Sequence, residues 1–289
     1  MVLISKSDMN NKINDIIHLL DSVDQKIARV GYRYQEMENF AKIDNVEELQ
    51  FVYWNEMLQR YHFCCATTLL RLKKWFEALK LSYDAENYYG FCTALRGIIE
   101  SCADSFYLFG KITYAFADNF SHIKQAVTGQ SKIALLSEEA ENELIHYMYA
   151  RKLTKEEKNS APSCHNVKLV SDYLNVMKSE KLNELYSELC QVSHPSMLSL
   201  IPFVYSTEEH AIILHGDTVD SSLNKGLINR FDETIYQATI LAIIPALTGL
   251  RIINSLNANV LKPLKTDESA FGVLDGSAYW DGIEEKLKG

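Results

Sequence analysis

Between residues 84 and 110 the apolar side chains of Tyr88, Phe91, Leu95, Ile98, Ile99, Cys102, Phe106 and Phe109 return every three or four positions. At about 100° per residue they fall within roughly a third of a helix circumference, so the stretch reads as a helix with one broad face to bury. A face of that width needs helical partners. Residues 45–79 supply one: Asn45 with Glu48 has the form of a capping pair, and Leu49, Val52, Tyr53, Met57, Cys64, Leu72, Trp75 and Leu79 continue the same rhythm. The short turn between the two helices makes them antiparallel neighbours. Gly110 is expected to end the first of these stripes.

Further helices are expected at 112–127, closing at Gly129, and from Ser137 to the basic pair Arg151 and Lys152. Others follow at 166–178, at 182–192 and at 224–257, the last with a kink at Pro245 and a close approach at Gly249. Within it the apolar run 238–250 is too short to cross a bilayer and is read as the buried centre of a bundle. The stretch 152–165 is polar and is expected to be a mobile loop near the candidate site. Two apolar runs rich in β-branched residues, 200–205 and 211–215, read as a small hairpin with His210 and His215 at its ends. The fold class expected is therefore all-α: a multi-helix bundle with long antiparallel helices and a small β-hairpin insertion around 199–215.

Upstream, Ile13, Ile16, Leu20, Val23, Ile27, Val30, Tyr34, Met37 and Ala41 keep a near-heptad rhythm, giving one long helix or two joined at Gly31. Its seam needs an apolar cover, either the body of the same chain or a second copy, which makes a homodimer through the N-terminal helix one expected partnership. From residue 262 onward glycines and weak periodicity point to an extended or loosely docked tail. The domain reading is 1–44 as the N-terminal helix, 45–261 as the helical bundle with its hairpin and 262–289 as the tail.

Composition narrows function more by exclusion than by assertion. A net charge of −9 among 289 residues argues against a general nucleic-acid coat, which needs clustered Lys and Arg. The six cysteines show no C-x-x-C spacing, so they are read as free thiols, and no metal or cofactor is expected. No glycine-rich phosphate loop, H-E-x-x-H or G-x-S-x-G pattern occurs. The N-terminus lacks the pattern of a secretory signal, so a cytoplasmic location is expected, with no membrane partner.

One polar constellation stands out. Leu182, Leu185, Tyr186, Leu189 and Val192 give a helix that Pro195 must stop, which places His194 at a helix end among unpaired carbonyls. There it is either a capping histidine or a titratable catalytic or anion-binding group. Arg96 and Glu100 lie beside the apolar stripe of their own helix, four residues apart, either as a surface pair or as part of a site.

The residues Leu95, Arg96 and Glu100, followed by Tyr186, Leu189, His194 and Pro195, form a pattern that resembles uncharacterised bacterial helical proteins near the HEPN superfamily of nucleases and nucleotide-binding proteins. The resemblance covers about residues 60–215, with Cys190 where a serine is expected. It implies a defence or toxin protein acting on RNA or nucleotides through Arg96, Glu100, Tyr186 and His194. One departure bears on catalysis. HEPN ribonucleases carry an arginine four to six residues ahead of a histidine, and no histidine of this chain has one. The cleavage chemistry then requires Arg96 to reach across from its own helix. The alternative is a non-catalytic interaction protein in which the same residues form a polar network that sets helix register.

Overall fold

The computed structural model describes residues 9–206, 212–214 and 219–288. In chain order its helices are α1 (Met9–Lys26), α2 (Met37–Phe40), α3 (Val46–Asp84), α4 (Tyr88–Asp118), α5 (Phe120–Val127), α6 (Glu138–Tyr149), α7 (Val170–Met177), α8 (Glu180–Ser193), α9 (Asp220–Ser255) and α10 (Ala278–Lys288). Two short strands, β1 (Val204–Ser206) and β2 (Ile212–Leu214), pair antiparallel with Val204 opposite Leu214. The expected all-α bundle with a small hairpin is what forms. His210 and His215 lie outside the described residues.

Three long helices make the centre: α3, α4 and α9 pack on one another. Asn45 caps α3 by accepting from the Glu48 N–H at 3.1 Å, as its spacing with Glu48 foretold. A three-residue turn, with Glu86 at φ +51°, sends α4 back along α3. Two glycines permit close helix approach. A Cβ at Gly97 would lie 2.4 Å from the Trp75 ring, and one at Gly249 would lie 2.5 Å from the Cys65 sulfur. Pro245 and the buried run around it put α9 in the middle of the bundle. This helix is long and apolar enough to cross a membrane by composition, and 78% of its most apolar stretch is buried inside the molecule.

Several expectations are corrected. Helix α4 does not stop at Gly110 but continues to Asp118. Leu108, Phe109, Ile112 and Phe116 are buried on either side of that glycine, and their packing outweighs the roughly 1 kcal/mol that an internal glycine costs. The helix expected from residue 112 is therefore only its last part, α5, which does close at Gly129 with φ +69°. Ser137 precedes α6 without capping it through its side chain; its N–H goes instead to the Tyr53 hydroxyl at 2.9 Å. Arg151 and Lys152 lie beyond the end of α6. The loop that follows is tied at its base, where Arg151 pairs with Glu157 and the Arg151 backbone bonds to His165 and Val167.

The N-terminal heptad pattern yields helix only as far as Lys26. Beyond it the chain runs without helix to Glu36, with Val30, Tyr32 and Tyr34 turned inward and Gly31, Arg33 and Gln35 exposed. That alternation is the period of extended backbone. Tyr32 reaches His62 at 2.7 Å and Tyr34 lies under Arg60 at 4.1 Å, so the strap lies across α3. Ile13, Leu20 and Val23 are buried within this one chain.

Nor is the C-terminal segment extended. Leu261 with Leu264 and Phe271 with Leu274 are buried pairs on two 3-10 turns, and Trp280 with Ile283 is buried on α10. The first two pairs are spaced by three, the repeat of a 3-10 helix. Asn254 fastens the segment by donating to the Thr266 carbonyl at 2.7 Å and accepting from the Thr266 N–H at 3.1 Å.

Candidate functional site

Helix α8 begins at Ser179, whose hydroxyl accepts from the Leu182 N–H at 3.2 Å. Leu182, Leu185, Leu189 and Val192 are its buried face, and it packs on α4. The helix ends where Pro195 requires it to: His194 adopts an extended backbone with φ −117° and ψ 157°. The imidazole is exposed and lies opposite Arg96.

The four expected residues meet. The Arg96 Nε donates to Glu100 Oε1 at 2.9 Å, and the Tyr186 hydroxyl donates to the same oxygen at 2.8 Å. The Arg96 guanidinium lies 5.6 Å from the Tyr186 ring centre. Held from both sides, it turns Nη1 toward His194 Nε2 at 3.2 Å. A guanidinium only donates, so this contact requires Nε2 to accept and the ring to be neutral, with its proton on Nδ1. Nδ1 has no partner among the described residues. Partial burial disfavours charge on Arg96, but its bonds to Glu100 and Tyr186 outweigh that and hold its pKa above the ordinary value. Tyr186 is pushed well up, first by burial and then by the Glu100 carboxylate.

The cluster is not sealed. Arg96 and Glu100 keep 27% and 34% of their side-chain surface exposed. A half-exposed pair of this kind stabilises by only about 0.5 kcal/mol, so its geometry says more about chemistry than about stability.

Residue-pattern reasoning missed what continues along the same helix. Arg96, Glu100 and Asp104 follow at four-residue intervals, and beyond Glu100 a cavity of about 350 Å³ opens between α3, α4, α6 and α7. Arg71 of α3 donates to Asp104 Oδ2 at 2.6 Å and lies 5.6 Å from the Tyr147 ring centre. At its far side the ring of His146 is fully used. Nδ1 faces the Cys164 carbonyl at 2.8 Å and must donate, so in the neutral ring Nε2 accepts from the Tyr173 hydroxyl at 2.7 Å. Farther along α4, Tyr107 donates to Glu143 at 2.9 Å. The four-residue spacing of Asp104 was visible in the sequence, whereas its partner thirty-three positions upstream was not.

His194 lines neither this cavity nor those of about 460 and 740 Å³ elsewhere. Among the described residues no group of three His, Cys, Asp or Glu side chains is placed to hold a metal ion. All six cysteines are free, four of them buried. Comparison with protein-family models, with curated proteins and with solved structures finds no match.

Proposed function

We propose that the chain acts on RNA or on nucleotides at the Arg96–His194 pair, as a bacterial protein of the defence or toxin kind. The observation that carries this reading is the 3.2 Å contact between side chains ninety-eight residues apart. It supplies from a second helix the cation that HEPN ribonucleases carry a turn ahead of their histidine. In this role a bound phosphate draws the Arg96 guanidinium off Nε2, the nitrogen so freed takes the proton of a ribose 2′-hydroxyl, and Arg96 neutralises charge developing on phosphorus. Glu100 and Tyr186 are positioning residues: they hold the guanidinium and touch no substrate. An exposed imidazole suits a chain substrate that lies along the surface rather than a small molecule enclosed in a pocket.

The test is cleavage of a labelled single-stranded RNA by the purified protein and by His194→Ala. Loss of cleavage with an unchanged melting temperature supports the assignment, and retained cleavage removes it.

A second reading has its own observation. Glu100 Oε1 satisfies two donors at once, as a register-setting polar network requires, and such a network serves an interaction protein without catalysis. Under that reading Glu100→Gln lowers the melting temperature while no RNA is cleaved by any variant.

A further inference from the structure

The largest of these cavities, about 740 Å³, lies between α1, the middle of α9 and the turn that leads into α10. Its walls are mainly apolar: Leu19, Ile240, Ile244 and Val273 contribute to them. That size and character are those of a site for a small organic molecule. Its polar side chains are the carboxylates of Asp15 and Asp275 and the hydroxyls of Tyr236, Ser277 and Tyr279.

Pro245 lines the cavity and has no N–H, so the carbonyl of Leu241, also in the wall, loses the donor that an unbroken helix would give it. Asp15 stands at the rim with no ion pair or hydrogen bond among the described residues. Asp275, the other carboxylate in the lining, is held by Arg251 at 3.0 Å. No Lys, Arg or His belongs to the lining. A carboxylate or phosphate head group would meet two carboxylates and no cation, with hydroxyls as the only side-chain donors. A head group that donates and carries positive charge would meet the Asp15 carboxylate, and the net charge of −9 favours its approach.

We propose that this cavity binds an amphiphilic amine: an alkyl or aryl body against α9, with its ammonium at Asp15. The site is independent of the Arg96–His194 pair and stands whether or not the chain cleaves RNA. Gly272 provides a clean way to fill it, because a Cβ there meets no heavy atom within 4 Å.

Isothermal titration of the full chain with decylamine, decanol and decanoate below their micellar concentrations tests the proposal. The expected result is saturable binding of one decylamine per chain, with decanoate at least about tenfold weaker. Asp15→Asn is expected to weaken decylamine about tenfold and leave decanol unchanged, and Gly272→Phe to remove both. Equal affinities for decylamine and decanoate overturn the proposal. So does an Asp15→Asn variant with unaltered decylamine affinity, or a wild type that shows no saturable amine binding. A dimer in sedimentation that Gly272→Phe converts to monomer, with no amine bound, overturns it in favour of a second copy.

Discussion

The two ends of the polar seam on α4 are built from similar residues and differ in what they leave unsatisfied. At one end Arg96 and Tyr186 accompany His194, and at the other Arg71 and Tyr173 accompany His146. His146 is buried and both its ring nitrogens are occupied. His194 is exposed, and its Nδ1 has no partner among the described residues. A histidine whose two nitrogens are spent inside the protein serves stability, and one with an N–H toward solvent is available to a ligand. Residue type alone does not separate the two roles; satisfaction does.

The largest effect that tests this contrast is on activity. His194→Ala or Arg96→Ala is expected to lower RNA cleavage by about 10²–10⁴-fold, the range lost with a general acid or base, while stability moves by no more than about 0.5 kcal/mol. Cleavage rates beside denaturant midpoints check it, and a variant that loses stability instead of activity makes the two ends alike.

A second buried histidine extends the comparison to pH. Burial away from water holds His62 at a pKa of about 4, below the ordinary 6.5, so the unfolded chain binds the proton more tightly than the folded one. Its contribution is fully present above pH 6.5 and is lost as the pH falls toward 4, by up to about 3 kcal/mol. Urea midpoints between pH 7 and pH 4 measure it, and in His62→Gln that part of the pH dependence should vanish.

Gly97→Ala probes the wall of the closed end. The added methyl would lie 2.4 Å from the Trp75 ring, so α3 and α4 must separate or the indole must turn, at a cost of about 1–3 kcal/mol in thermal unfolding.

The smallest effect is also the most direct comparison. Tyr173→Phe leaves a buried His146 nitrogen without its donor and should cost about 1–2 kcal/mol. Tyr186→Phe leaves Glu100 bonded to Arg96 and open to water, and should cost about 0.5 kcal/mol or less. Equal losses in the two variants would show that the open end is as structural as the closed one.

Much of the framework was legible in residue order. The Asn45 cap, the end of α8 before Pro195 and the close approach at Gly249 follow from local chemistry, and they are where that chemistry puts them. Two segments were misread because a helical period was sought where another ruled. Residues 30–35 alternate in twos, and the buried pairs from Leu261 onward repeat in threes. Both signals were present in the letters but too short to outvote their surroundings.

The sequence by itself determined that the chain is a helical bundle, which helices carry the apolar faces, and that a histidine must sit at the end of one of them. Those properties depend on residues within a few turns of each other. Only the tertiary structure decided that Arg71 pairs with Asp104, that His146 is spent while His194 is open, and that α1, α9 and the C-terminal segment enclose a cavity. Each of these depends on how far helices distant in the chain approach and rotate about their axes, which is set by packing of the whole core rather than by any local pattern.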